Sequence, residues 1–113
     1  MKKFIVLTLL ATFAMNSISA QKKYAYDPNA STFAGSDKVT VERVTFKNLY
    51  KMDVVGNLFM PKNINPNQKY AAIVVGHPMG AVKEQSANLY ATHMAEKGFV
   101  TLSIDLSFWG ESE

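Results

Sequence analysis

The chain contains no cysteine. Disulfides, thiolate metal sites and a cysteine nucleophile are therefore excluded within these residues. Histidine is scarce: only His77 and His93 occur, not at a metal-ligand spacing and with no carboxylate cluster beside them, so no metal site is expected. No strong excess of charge is present either, with 12 basic and 9 acidic residues giving a net +3. Lys2 and Lys3 lie in a segment expected to be removed, and the remaining basic residues are scattered rather than aligned on one helix face. That leaves no electrostatic basis for binding nucleic acid or an anionic membrane surface. Internal repeats and low-complexity tracts are also absent. What remains is a chain of 113 residues, enough for one modest domain. With 48% hydrophobic and 19% charged residues its composition is that of a globular protein and argues against disorder.

Residues 1–20 read as a secretory signal peptide. Lys2 and Lys3 form the charged start, Phe4 to Met15 the apolar centre, and Asn16 to Ala20 a short end with Ala20 before the expected cleavage. Ile18, three residues before the cut, is bulkier than the usual alanine. The apolar run falls short of the ~20 residues a membrane span needs, so no stable span is expected after cleavage. The sequence thus predicts a periplasmic or secreted product. Residues 21–38, with Pro28, Gly35 and several Asn, Ser and Asp, have no sustained period and are expected to form an exposed arm.

Residues 39–47 are rich in Val and Thr. Val39 and Val41 alternate, but Val44 and Phe46 resume on the other parity. This predicts either a bulge near Arg43 or a strand whose two halves face different layers. Residues 54–60 form a second strand ending at Pro61, antiparallel to the first across a short connection. A polar loop with Pro66 follows.

The chain is organised around residues 70–112. Ala71 to Val75 is a short β-branched run of the kind buried on both faces. Gly76-His77-Pro78-Met79-Gly80 interrupts it. Ala87, Tyr90, Ala91, Met94 and Ala95 then fall on one helical stripe, which Gly98 ends. Phe99 to Leu106 is a further strand, with Val100, Leu102, Ile104 and Leu106 on one face and Thr101, Ser103 and Asp105 on the other. Strand, helix and strand over this length predict a right-handed βαβ unit with parallel strands. The fold class is α/β, and the sheet is incomplete: parallel sheets need helices on both faces, and only one helix is evident.

From Val39 to Glu113 the sequence resembles the start of an α/β-hydrolase, most similar to the bacterial branch of dienelactone-hydrolase-like and Xaa-Pro-peptidase-like proteins. The residues that carry the resemblance are Gly76-His77-Pro78-Met79-Gly80, Lys83-Glu84-Gln85, Tyr90-Ala91, Gly98-Phe99 and Ile104 to Ser112. The resemblance implies that residues 39–113 are the N-terminal part of such a domain. It also implies that the loop after the third strand contributes to an oxyanion hole. Backbone N–H groups fixed at a strand end stabilise charge that develops on a carbonyl oxygen. Pro78 has no N–H, so the candidate donors are Met79 first and Gly80 second.

In the same comparison the nucleophile precedes the acid and the histidine in chain order. His77 and Asp105 therefore read as loop-structural, together with Pro78, and not as catalytic groups. Gly110-Glu111-Ser112-Glu113 begins like a nucleophile motif, but Ser112 comes too long after its strand for a nucleophile elbow. Phe108 and Trp109 either line a substrate pocket or cap the sheet. No catalytic residue is expected in this chain, and no cofactor.

The reading that follows is the N-terminal portion of a secreted α/β-hydrolase acting on an ester, lactone or small acyl or peptidyl substrate, its nucleophile, acid and histidine lying elsewhere. The alternatives are a non-catalytic secreted binding or structural module, and a truncated reading frame without function of its own.

Overall fold

The strand that begins at Val39 runs without interruption to Lys47 (β1). A computed structural model describes residues 25–113, so the expected signal segment lies outside the described residues. β1 pairs antiparallel with Asp53–Pro61 (β2), from Val39 opposite Pro61 to Lys47 opposite Asp53. The register never slips, so there is no bulge at Arg43. The change of parity is instead a change of layer: Val39, Val41 and Arg43 face one side of the sheet, Val44 and Phe46 the other. The turn between the strands is built by Asn48. Its Oδ1 accepts the N–H of Tyr50 at 2.8 Å and of Met52 at 3.1 Å, a side-chain mimic of a backbone turn.

Ala72–Gly76 (β3) and Val100–Ile104 (β4) are parallel, as two strands joined through a helix must be. β4 also pairs antiparallel with β2, Gly56 lying opposite Ile104. The sheet order is β1-β2-β4-β3. β4 thus inserts between the hairpin and β3, leaving β3 as an edge strand among the described residues. The result is a mixed α/β structure with one four-stranded sheet and one regular helix.

That helix, Asn88–Glu96 (α1), begins one residue after the first position of the apolar stripe. It is preceded by a wide turn, Lys83–Ala87, kinked at Gln85 (φ −96°, ψ −127°). The buried residues are Ala87, Asn88, Ala91 and Ala95, whereas Tyr90 is half-exposed. Small side chains let α1 lie close on the sheet, where Ala91 and Ala95 pack with Val39 and Phe59 and against the partly buried Val41 and Val75. At the far end Gly98 takes φ +97°. Its N–H donates to the Ala95 carbonyl (3.0 Å) and that of Phe99 to Met94 (3.3 Å), the two bonds of a glycine C-cap. No helix among the described residues is long and apolar enough to cross a membrane.

The faces of β4 are used in an unexpected sense. Thr101 and Ser103, under α1, and Asp105, against Lys83, are the fully buried ones, while Leu102 and Ile104 are only partly covered. The polar face is tolerated because its hydroxyls are paired. Thr101 Oγ1 donates to the Ala91 carbonyl at 2.8 Å, and Ser103 Oγ to Asn88 Oδ1 at 2.6 Å. Asn57 Nδ2 also donates to Asn88 Oδ1, at 3.3 Å. On the opposite face no helix of the described residues covers the sheet, and Val74 is 65% exposed.

The stretch from Ala25 to Lys38 is largely exposed but tied to the domain. The Glu84 carbonyl accepts the Thr32 N–H at 3.0 Å, and Ser36 Oγ donates to Glu96 Oε1 at 2.6 Å.

Candidate functional site

Three connections meet at the carboxyl end of β3 and β4: the β1–β2 turn, the loop 77–82 and the segment 105–113. Their meeting follows from β2 running against β4, which brings the start of β2 beside the end of β4. Direct bonds join them. The Asp105 N–H donates to the Val55 carbonyl (3.0 Å) and the Glu113 N–H to the Asp53 carbonyl (2.8 Å). Asn48 Nδ2 donates to Ser107 Oγ at 3.2 Å.

Both ring nitrogens of His77 are engaged, and the side chain is buried. The Leu106 N–H donates to Nε2 at 3.1 Å, and Nδ1 lies 2.9 Å from the Pro78 carbonyl oxygen. This bonding set is that of a neutral ring carrying its proton on Nδ1. Neither nitrogen is free to act as a base. Pro78 supplies its carbonyl a second time, to the Ala81 N–H at 3.1 Å, closing a turn over Met79 and Gly80. Gly80 takes φ +83°, a conformation glycine adopts without steric cost. The Met79 side chain is 94% exposed. Among the described residues, the N–H groups of Met79 and Gly80 donate to no protein acceptor.

Asp105 is fully buried at the end of β4. Its Oδ1 accepts the Lys83 N–H at 2.9 Å, and its Oδ2 accepts the Lys83 ammonium at 2.6 Å and the Glu111 N–H at 3.1 Å. The Lys83 side chain is likewise inaccessible, and its Nζ also contacts Glu84 Oε1 at 2.6 Å and Glu111 Oε2 at 2.7 Å. Arg43 Nη2 reaches the other oxygen of Glu111 at 2.7 Å. Burial by itself draws the Lys83 ammonium's pKa down, but the hydrogen bonds to Asp105, Glu111 and Glu84 outweigh it and hold the pKa above the ordinary lysine value. For Glu111, burial pushes up, but Lys83 and Arg43 prevail and hold its carboxyl below the ordinary range. Glu84, Asp105 and Glu111 present oxygens close enough together to hold a metal ion. The cation at their centre is already the ammonium, which satisfies the charge a metal would otherwise supply.

Ser112 Oγ donates to the Asp105 carbonyl at 2.9 Å and accepts the Val55 N–H at 2.9 Å. It joins β2 to the loop and has no histidine partner among the described residues. Trp109 packs edge-on to the His77 ring, with centroids 6.2 Å apart and planes at 83°. Phe108 is 82% exposed, with φ +68°. Neither it nor Trp109 lines the cavity of about 300 Å³ between the N-terminal stretch and the sheet, which is bordered by Tyr26, Arg43, Asn57 and Glu84.

Sequence reasoning did not anticipate Lys83, Glu111 and Arg43 as a network. One signal was available. A lysine opening a helical segment sits at the positive end of the helix dipole, an unfavourable position unless carboxylates compensate.

The class that fold and site define together is a mixed α/β structure with a polar cluster at the carboxyl end of its parallel strands. No family model matches the chain. It is 52% identical over 81 residues to the uncharacterised protein PA2218 of Pseudomonas aeruginosa, an overlap of 72% of this chain and 22% of that protein. The crystal structure of PA2218 superposes with a TM-score of 0.70 at 51% identity, covering 74% of this chain and 26% of that one. The uncharacterised protein YcjY of Escherichia coli is 49% identical over 55 residues, 49% of this chain and 18% of its own. The chain therefore spans about a fifth of the length of the curated relatives it matches. More distantly, brefeldin A esterase, described as a bacterial homologue of human hormone-sensitive lipase, aligns over 92% of this chain and 29% of its own. Its TM-score of 0.55 at 14% identity is a likeness of fold.

Proposed function

We propose that residues 39–113 are the N-terminal part of a secreted α/β-hydrolase domain of the dienelactone-hydrolase-like and Xaa-Pro-peptidase-like branch. Its substrate is an ester, lactone or small acyl or peptidyl compound. Residues 1–20 direct export to the periplasm or beyond, and nucleic acid is not a partner. The loop after β3 supplies the oxyanion donors, with Met79 first and Gly80 second. The nucleophile, acid and histidine come from outside this chain, and no cofactor takes part.

The observation that carries this reading is the pair of N–H groups at Met79 and Gly80 that donate to no acceptor among the described residues, at the carboxyl end of a parallel strand and before a helical segment. Such donors stabilise a developing oxyanion without reorganising. The strand order β1-β2-β4-β3 and the fold likeness to an esterase support it. His77, Pro78 and Asp105 hold the loops in this account, and Trp109 and Phe108 border the mouth.

The test is the full-length protein. Its reading frame is expected to carry G-x-S-x-G or G-x-C-x-G about one βαβ unit beyond Glu113, roughly 30–50 residues, and the purified protein to hydrolyse p-nitrophenyl acetate. A stop codon directly after Glu113, or a full-length protein inert toward esters, lactones and small acylated peptides, rejects the proposal in favour of a non-catalytic module.

A further inference from the structure

The loop that carries Met79 and Gly80 does not determine its own shape. Between His77 and Val82 it contains one internal backbone hydrogen bond, from the Ala81 N–H to the Pro78 carbonyl. Its two ends are fixed from outside, and both anchors land on consecutive residues of one neighbouring segment. At the β3 end, His77 Nε2 accepts the Leu106 N–H at 3.1 Å. At the helical end, Lys83 binds Asp105 through its backbone N–H at 2.9 Å and its ammonium at 2.6 Å. Resting on the hydrolase reading, we propose that Lys83 is a positioning residue: by gripping both oxygens of Asp105 it sets where the N–H groups of Met79 and Gly80 point.

The target of the grip is itself held. Asp105 Oδ2 also accepts the Glu111 N–H at 3.1 Å, and its carbonyl accepts Ser112 Oγ at 2.9 Å. Gly110 lies so close that a Cβ there would come within 2.5 Å of the carboxylate. With the two bonds from Lys83, both oxygens of the carboxylate are engaged, so a bond to it is a bond to a held group.

Lys83 acts through Asp105 and not on a substrate. Its ammonium has three N–H donors, and three carboxylates receive them: Asp105, Glu84 and Glu111, at 2.6, 2.6 and 2.7 Å. The side chain has no exposed surface, so no donor is left for a reacting atom. Nor is stability what such a pair chiefly supplies. A buried ion pair is close to neutral against apolar side chains of the same shape, whereas removing one partner strands the other. What the pair adds here is direction, two bonds from one residue to both oxygens of one carboxylate.

The experiment uses the full-length protein with p-nitrophenyl acetate as probe, and hydrogen exchange read at the bonded amides of Ala81 and Val82. Lys83→Met is expected to lower kcat ~10–100-fold, approaching the loss of one oxyanion donor, with KM changed less than about threefold. Exchange at the Ala81 and Val82 amides, bonded to the Pro78 carbonyl and to Gln85 Oε1, should quicken by a larger factor than in β1, β2 and β4, which follow only the change in global stability. Adding Asp105→Asn to Lys83→Met should recover part of the lost kcat, because the stranded carboxylate is then neutral. Wild-type kcat and unchanged exchange in Lys83→Met overturn the proposal. So does a fall in kcat with exchange at Ala81 and Val82 raised no more than in the strands, since the lysine is then merely structural. If Lys83→Met does not fold, Asp105→Asn alone keeps an acceptor for the Lys83 N–H at Oδ1 but puts an N–H donor where the ammonium's acceptor stood. It carries the same expectation and the same refutation. A wild-type protein inert toward esters defeats the hydrolase reading, yet the exchange at Ala81 and Val82 still decides whether Lys83 holds the loop.

Discussion

Asp105 and Lys83, both without exposed side-chain surface, meet through two hydrogen bonds, at 2.9 Å from the lysine backbone and 2.6 Å from its ammonium. The contact joins the end of β4 to the start of the helical segment, and so joins the two loops at the carboxyl end of the parallel strands.

Breaking the pair from one side should be costly. Lys83→Met leaves Asp105 buried beside Glu84 and Glu111 without the central cation. A loss of roughly 3–5 kcal/mol in unfolding free energy is expected, measured by urea denaturation of the full-length protein. A loss below about 1 kcal/mol would mean that water or Arg43 compensates the cluster.

The network should be insensitive to pH across a wide window. Glu111 titrates below its ordinary 4.5 in the folded state, so its contribution is present above 4.5 and is lost as pH falls through the lower folded value. Lys83 titrates above its ordinary 10.5, so its contribution is complete below 10.5 and is lost as pH rises through the higher folded value. The stability difference between wild type and Glu111→Gln should therefore be level from about pH 5 to 10 and shrink on further acidification. A difference that peaks near neutrality and falls on both sides within that range contradicts the assignment.

Gly110 should tolerate no side chain. It takes φ +54°, and a Cβ would stand 2.5 Å from the Asp105 carboxylate. Gly110→Ala must displace either the carboxylate or the loop, and a destabilisation of about 1–3 kcal/mol is expected. Thermal unfolding of the variant checks this, and an unchanged Tm would mean that the 105–113 segment adapts freely.

Met79 separates backbone from side chain. If its N–H is an oxyanion donor, Met79→Pro should cost roughly 10²–10³ in kcat, while Met79→Ala alters substrate preference more than turnover. Equal effects of the two variants on ester hydrolysis would remove the N–H from the catalytic account. A structure with a tetrahedral transition-state mimic gives the direct view, the oxyanion being expected ~2.7–3.1 Å from the Met79 or Gly80 nitrogen.

Export is tested without reference to activity. Protein recovered from the periplasm of a bacterial host should begin at Gln21, or at its cyclised form, by mass spectrometry. Recovery there with Met1 intact would show that the segment is not a cleaved signal.

The sequence by itself determined the local elements. Runs of β-branched residues bounded by glycine, proline and asparagine mark all four strands to within about two residues. The short connection makes β1 and β2 antiparallel, and the intervening helix makes β3 and β4 parallel, because chain length and element type alone limit those geometries. Gly98 ends its helix for a reason visible in one residue. The tertiary structure decided the rest. That β4 enters between β2 and β3 is a pairing of strands distant in sequence, which periodicity does not encode. Which face of β4 is buried followed from the partners available: Thr101, Ser103 and Asp105 could be buried only because Ala91, Asn88 and Lys83 receive them there. Lys83 shows the limit most clearly. Alone it reads as a surface charge. Its burial rests on Asp105 and Glu111, 22 and 28 residues further along, and a buried charge is stable only where folding assembles its counter-charges around it.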